Sequence, residues 1–293
     1  SLTAQVTDAT IWHINTDEPS VIDYNLEFKP EDLYTPTSYR ASDHDPVVVG
    51  LDLDGLLPIC AIQGDGPTSP YEGQVVTTQG VVYAAFNGKN GFFMQHEDCD
   101  GDPATSDGIF VYLHADPTGI VAGDLVQVTG EAQEYYDLTQ VSAYASDVAV
   151  LSTGNPLPVP VDLDPPFDNA ATMAYFESLE GMYTQIDDAK VVGPTGKYDE
   201  TFVVRSDLGI DRVFQDAPAG TGEIVGVDDS GNYEISPEAK VGDQVLGLLG
   251  ALDYTYSAFK MQLTAAPTLV EAADPPKYGD ADLDGDIDVA DRR

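Results

Sequence analysis

The sequence predicts a mainly β protein built around two small barrel modules, and three observations carry that prediction. From Pro58 onward, short runs rich in Val, Ile, Tyr, Phe and Thr alternate with Gly, Asn, Asp and Pro turns. The layout then repeats. Glu72-Gly73 and Gly123-Asp124-Leu125-Val126 find an echo in Glu180-Gly181 and Gly242-Asp243-Gln244-Val245, and Tyr135-Tyr136 finds one in Tyr254 and Tyr256. Each copy is roughly 100 residues long, which suits a closed or half-closed barrel of about five strands.

Four segments follow from these patterns: 1–54, 55–155, 156–273 and 274–293. In the first, the turn Ser42-Asp43-His44-Asp45-Pro46 feeds the apolar run Val47-Val48-Val49-Gly50-Leu51, which reads as a buried strand. A rigid turn of this kind can hold an imidazole as a general base, its tautomer fixed by the neighbouring carboxylate. The same turn could equally cap the strand, with His44 satisfied by a backbone carbonyl. In the second segment, strands are expected over 74–84, 91–95, 108–113, 124–130 and 148–151, and Asn87-Gly88 marks a hairpin. The Pro-rich stretch Gly154-Asn155-Pro156-Leu157-Pro158-Val159-Pro160 is an extended linker, because proline fixes φ and disfavours helix before it. Residues 168–179 predict a helix, capped by Asp168 or Asn169, with Gly181 just past its end.

Composition narrows the function classes. The 293 residues suffice for two or three domains with their own cores. With 12 Lys and Arg against 51 Asp and Glu, the formal charge is −39. Such a surface repels phosphate backbones and anionic lipid, and it suits saline or calcium-rich surroundings. No apolar run is long enough to span a bilayer, so no membrane span is expected. The N-terminus lacks a charged-then-apolar leader, so an export signal would have been removed or would lie upstream. Two cysteines, Cys60 and Cys99, predict one disulfide closing a loop of about forty residues, with two separate buried thiols as the other reading.

Residues 1–53 carry a family resemblance. Leu2-Thr3-Ala4-Gln5-Val6-Thr7, Trp12-His13-Ile14-Asn15-Thr16-Asp17-Glu18-Pro19, Asp23-Tyr24-Asn25 and Tyr39-Arg40-Ala41-Ser42-Asp43-His44-Asp45-Pro46-Val47 occur in the order of a catalytic domain's last quarter. Together they resemble the endonuclease/exonuclease/phosphatase superfamily with the DNase I-like fold, in particular bacterial secreted nucleases of the ExeM/NucH type. The resemblance implies a catalytic role for His44 and a metal-side role for Asp43, with Mg2+ or another divalent cation at the parent nuclease site. The family's early Asn, metal-binding Glu and central His and Asp would lie upstream of Ser1, so this chain alone is expected to be inactive. Residues 1–54 would then be the C-terminal strands of a DNase I-like α/β domain.

The β modules resemble the OB-fold-like modules of the same nucleases, through Ile62-Gln63-Gly64, Ser69-Pro70, Gly73-Gln74-Val75-Val76-Thr77, Gly91-Phe92-Phe93-Met94-Gln95 and Ala104-Thr105-Ser106-Asp107-Gly108-Ile109-Phe110-Val111. In that family such modules often precede the catalytic domain. Here they follow it.

Two acidic loops suggest calcium. In the C-terminal run 280–291, Asp280, Asp282, Asp284, Asp286, Asp288 and Asp291 alternate with a mid-loop Gly285 and an apolar Ile287. Calcium needs six to eight hard oxygens around a sharp turn, and this pattern supplies them. It is similar to the calcium loop of a dockerin repeat, although a dockerin has two such loops. The second loop offers Asp98, Asp100, Asp102 and Asp107. Its spacing fits no strict template, and solvated turn residues are the other reading.

Lys89 is the only Lys or Arg between Gly55 and Asn155, so an OB groove there lacks the cations that track phosphates. The aromatics Phe86, Phe92, Tyr135 and Tyr136 read as core or interface residues, and Trp12, His13, His96 and His114 as structural.

Three functions fit. The first is the non-catalytic C-terminal portion of a secreted, metal-dependent nuclease, located extracellularly or at the cell surface, with nucleic acid only as substrate of the parent enzyme. The second is a structural extracellular module that self-assembles with calcium, as a homo-oligomer or filament through N-terminal strand pairing. The third is a carbohydrate- or polymer-binding module, which an exposed aromatic platform on one barrel face would favour.

Overall fold

The computed structural model describes residues 6–11, 47–51, 55–96, 99–214, 216–228 and 233–273. The chain divides into two units, 1–56 and 57–293. The described part of the first is an antiparallel pair, β1 (Val6–Ile11) and β2 (Val47–Leu51), with Ile11 opposite Val47 and Ala9 opposite Val49.

The second unit begins with a short helix, α1 (Ile59–Gln63), followed by β3 (Val75–Phe86), β4 (Gly91–Gln95), β5 (Gly108–Tyr112), β6 (Leu125–Tyr135), β7 (Leu138–Ser142) and β8 (Val148–Ser152). The long strand β3 changes partner midway. Val75 to Val81 pair with β6, and Val81 to Phe86 pair with β4. The ladder continues from β4 to β5, crosses in parallel from β5 to β7, and returns antiparallel from β7 to β6. That closes a five-stranded barrel with the strand order of an OB-fold.

The Pro-rich linker leads to β9 (Val161–Asp162) and helix α2 (Asn169–Glu177), where Asp168 caps the helix by accepting the Ala171 N–H at 2.9 Å. The second barrel comprises β10 (Tyr183–Gly193), β11 (Thr201–Arg205), β12 (Val225–Asp228), β13 (Gln244–Thr255) and β14 (Ala258–Leu263), flanked by β15 (Thr268–Val270). Its pairings repeat the first. β10 joins β11 and β13, β11 joins β12, β12 runs parallel to β14, and β14 returns to β13. The protein is therefore mainly β, with two OB-like barrel modules.

The echoed dipeptides fall at equivalent places and make equivalent bonds. The Gly73 N–H reaches the Ala132 carbonyl at 2.8 Å, and the Gly181 N–H reaches that of Leu252 at 2.7 Å. Asp124 Oδ2 accepts the Val121 N–H at 3.0 Å, and Asp243 Oδ2 that of Lys240 at 2.9 Å. At the β3–β4 hairpin the left-handed residue is Asn90 rather than Gly88, because residues 87–89 form a 3-10 turn.

Each barrel has its own core. Ile59 and Ile62 of α1 pack with Val82, Phe92, Met94, Ile109 and Val126 in the first. Ile186, Val203, Val227, Leu248 and Met261 fill the second, against Phe176 of α2. A third cluster joins them: Tyr83, Phe93, Phe110 and Leu138 meet Tyr183 and Ala251. The strands β4 and β5 are thus buried on both faces, Phe92 and Met94 inward and Phe93 toward the second barrel. Gln63 Nε2 donates to the Gly108 carbonyl at 2.7 Å, Ser106 Oγ to the Glu180 carbonyl at 2.6 Å, and Tyr83 OH to the Gly181 carbonyl at 2.7 Å. The disulfide Cys60–Cys99, with Cα atoms 6.2 Å apart, ties α1 to the loop after β4. Closing a loop of that size is worth roughly 3–4 kcal/mol in the chain-entropy picture. Among the described residues, no helix is long and apolar enough to cross a membrane.

Candidate functional site

OB-folds take ligands on the face of their second and third strands, between the first hairpin loop and the last hairpin turn. In the second barrel those elements enclose a groove of ≈ 1080 Å³. Its floor is Phe202 of β11, Gly226 and Asp228 of β12 and Lys260 of β14. Its walls are the 197–200 loop, the turn at Tyr256-Ser257, and Thr172, Met173 and Phe176 of α2. Tyr198 and Tyr256 stand exposed at the rim, at 72% and 90%.

The buried cation in this groove is already engaged. Buried Lys260 lies between Glu200 and Asp228, the latter 3.6 Å away, and its ammonium sits 5.3 Å from the Tyr256 ring centroid. Lys197 lies over Tyr198 at 5.2 Å. Lys197 and Lys260 share the lining with three carboxylates, Asp199, Glu200 and Asp228, so the groove offers no net positive charge to a run of phosphates.

A second groove, of ≈ 630 Å³, opens where the corresponding face of the first barrel meets the second. Tyr112, Tyr135, Tyr136, Tyr254 and Tyr256 surround it, and among the described residues its charged lining is Lys89 and Asp253. Those two pair at 2.7 Å, with Asp253 almost fully buried. The one cation of the 55–155 segment is thereby neutralised across the two barrels.

The two final hairpin turns share one conformation with a residue unusual for it. Tyr136-Asp137 and Tyr256-Ser257 form two-residue loops in which all four residues have positive φ, 51° and 68° in the first and 50° and 62° in the second. Such turns favour Asn-Gly, and a bulky side chain in the left-handed region costs on the order of 1–2 kcal/mol. Each barrel nevertheless puts a tyrosine there and leaves it exposed, Tyr136 at 80%. The two strained, exposed rings thus occupy equivalent positions in the two barrels. The structural equivalent of Tyr136 is Tyr256, whereas Tyr254 corresponds to Glu134 and lies inside the second groove.

Phe92 belongs to the first barrel's core and Phe86 to the cluster between the barrels, at 0% and 1% exposure. Tyr135 and Tyr136 belong to neither. They sit at the tip of a hairpin, at and just beyond its last ladder pair, and both are exposed. His114, at φ 59°, stacks on Tyr144 and meets Tyr112 edge-on, with ring centroids 4.8 and 4.6 Å away.

Among the candidate metal residues, Asp100, Asp102 and Asp107 share one loop. Asp100 Oδ1 accepts the Asp102 N–H at 2.9 Å, Asp102 Oδ1 accepts the Ala104 N–H at 3.0 Å, and Asp107 Oδ1 accepts the Cys99 N–H at 3.1 Å. These oxygens serve the loop's own backbone. Among the described residues, the grouping of metal-type side chains is Cys60, Cys99 and Asp107, and its sulfurs are joined in the disulfide, so it offers no thiolate. Asp98, the pair Asp43 and His44, and the loop ligands Asp280, Asp282, Asp284, Asp286, Asp288 and Asp291 lie outside the described residues.

Sequence reasoning does not single out Tyr198, Phe202, Lys260 or Asp253. They come from separate strands and loops with no shared motif, and only the exposed Tyr198 within Lys197-Tyr198-Asp199-Glu200 gives a local hint.

Comparison with known proteins bears on the second barrel most directly. A family described as a domain of unknown function, DUF8508, matches residues 161–274. Comparison with the curated proteins gives no match. Among solved structures, the chain is similar to a murine DNA-binding protein bound with double-stranded DNA, at 11% identity and a TM-score of 0.28, over 68% of this chain and 97% of that one.

Proposed function

We propose that residues 57–273 form a non-catalytic binding unit that takes an uncharged glycan in its aromatic grooves and anchors a secreted, metal-dependent nuclease to that glycan. The observation that carries this reading is the groove of the second barrel, aromatic-walled, with its buried lysine paired to carboxylates and its carboxylates outnumbering its lysines. Flat C–H faces of neutral sugars stack on such rings, and flanking carboxylates and amides accept from or donate to hydroxyls. Anionic polymers meet a formal charge of −39 and, in that groove, three carboxylates against two lysines.

The nuclease part of the reading rests on the resemblance of residues 1–53. Asp43 and His44 would contribute to that enzyme's divalent-metal centre. The acidic loop 280–291 would hold calcium through its Asp oxygens.

A printed array of neutral and anionic glycans, with double-stranded DNA as the counter-probe at physiological salt, tests the binding reading. Neutral glycans should bind, and Tyr198→Ala or Phe202→Ala should weaken them by up to about tenfold, the scale of one aromatic contact. Binding of DNA or anionic glycans in preference to neutral ones would overturn it.

A second reading, self-assembly through strand pairing, draws support from β1 and β2. Ile11, Val47, Val48 and Val49 are all exposed on this two-stranded sheet, and isolated pairs of strands are marginally stable without partners.

A further inference from the structure

We infer that one glycan chain lies across both barrels at once, seated in both grooves and crossing over Tyr256. The inference deepens the proposed glycan binding and rests on it. Tyr256 and Ser257 line both grooves, so the two spaces abut on either side of one exposed ring. A polymer leaving the larger groove past Tyr256 enters the smaller one directly.

The barrels cannot drift apart under such a ligand. Tyr83 stacks on Tyr183 with ring centroids 4.8 Å apart, and the Tyr183 N–H donates to Gln95 Oε1 at 2.9 Å. The Lys89–Asp253 pair bridges the barrels within the smaller groove itself. The distance between subsites is therefore fixed before binding, which is the condition for two weak sites to act as one strong one.

Charge selects the occupant. The smaller groove is lined by one cation and one anion, already paired, and otherwise by tyrosines, Phe110, Leu138 and small polar groups. In a chain of formal charge −39, locally neutral aromatic surface suits an uncharged polyol. The aromatic line also continues beyond the groove, from Tyr112 through His114 to the exposed Tyr144. An extended chain would find successive stacking platforms there.

Calorimetric titration of the full chain with cello-, malto- and chito-oligosaccharides, from disaccharide to octasaccharide, tests this. Affinity for the matching series should climb at least about tenfold once the oligomer outgrows the larger groove. Tyr136→Asn should erase that gain and leave short oligomers unaffected, while Tyr256→Asn should weaken short and long alike. Asparagine tolerates the left-handed conformation of both turns, and unchanged circular dichroism with a melting temperature no lower than the wild type's will confirm intact variants. Short oligomers that bind as tightly as long ones would overturn the spanning mode while leaving the glycan reading in place. If no neutral oligomer of any length binds, both fall.

Discussion

Glu180 is 1% exposed at the junction of the two barrels. Its Oε1 accepts the Thr139 N–H at 2.9 Å, and its Oε2 is buried with no hydrogen-bond partner among the described residues. Burial, followed by the Glu177 carboxylate, pushes its pKa well above the usual carboxylate range, and the Thr139 bond offsets only part of this. A carboxyl whose folded pKa is raised supports the fold fully below its ordinary pKa, and that support fades as pH rises through the elevated value. Glu180→Gln keeps an acceptor for Thr139 and removes the titration. The variant should match the wild type in acid and melt above it from neutral to alkaline pH, as read by thermal scans across that range. A gap of constant size at every pH would show that the carboxyl does not titrate in the fold.

The β1–β2 pair carries a different expectation. If its exposed valines recruit a second copy, a charge on the strand should block that pairing. Val48→Lys should convert concentration-dependent oligomers into monomers in sedimentation velocity, and a wild type that stays monomeric at every concentration would end the self-assembly reading. Elements with local chemical signatures are legible in the amino-acid sequence. Asp168 announces α2 by capping it, and the Glu-Gly and Gly-Asp pairs mark equivalent corners of the two barrels. What escapes the sequence is non-local. Phe92 and Phe93 look alike in the chain, yet one fills a barrel and the other the seam between barrels. The strand β7 is likewise hard to read, since Leu138–Ser142 is short and follows a turn made of Tyr and Asp instead of Asn-Gly. The larger groove gathers residues from α2 to β14, so no spacing rule could display it.

The two barrels touch backbone to backbone where Gly108 faces Gly181. A Cβ on Gly108 would lie 2.1 Å from the Gly181 carbonyl oxygen, and Gly181 itself sits at φ 73°. Only glycine permits that approach. Gly108→Ala should cost about 1–3 kcal/mol or more and loosen the seam before either core. Calorimetry should then resolve two unfolding transitions where the wild type shows one; a single unshifted transition would mean the seam accommodates the added methyl and does not require glycine there. A welded pair of this kind works as a ruler. It rewards stiff ligands whose repeat matches the gap between its turns, and it penalises limp ones, which must surrender their own disorder to reach both ends.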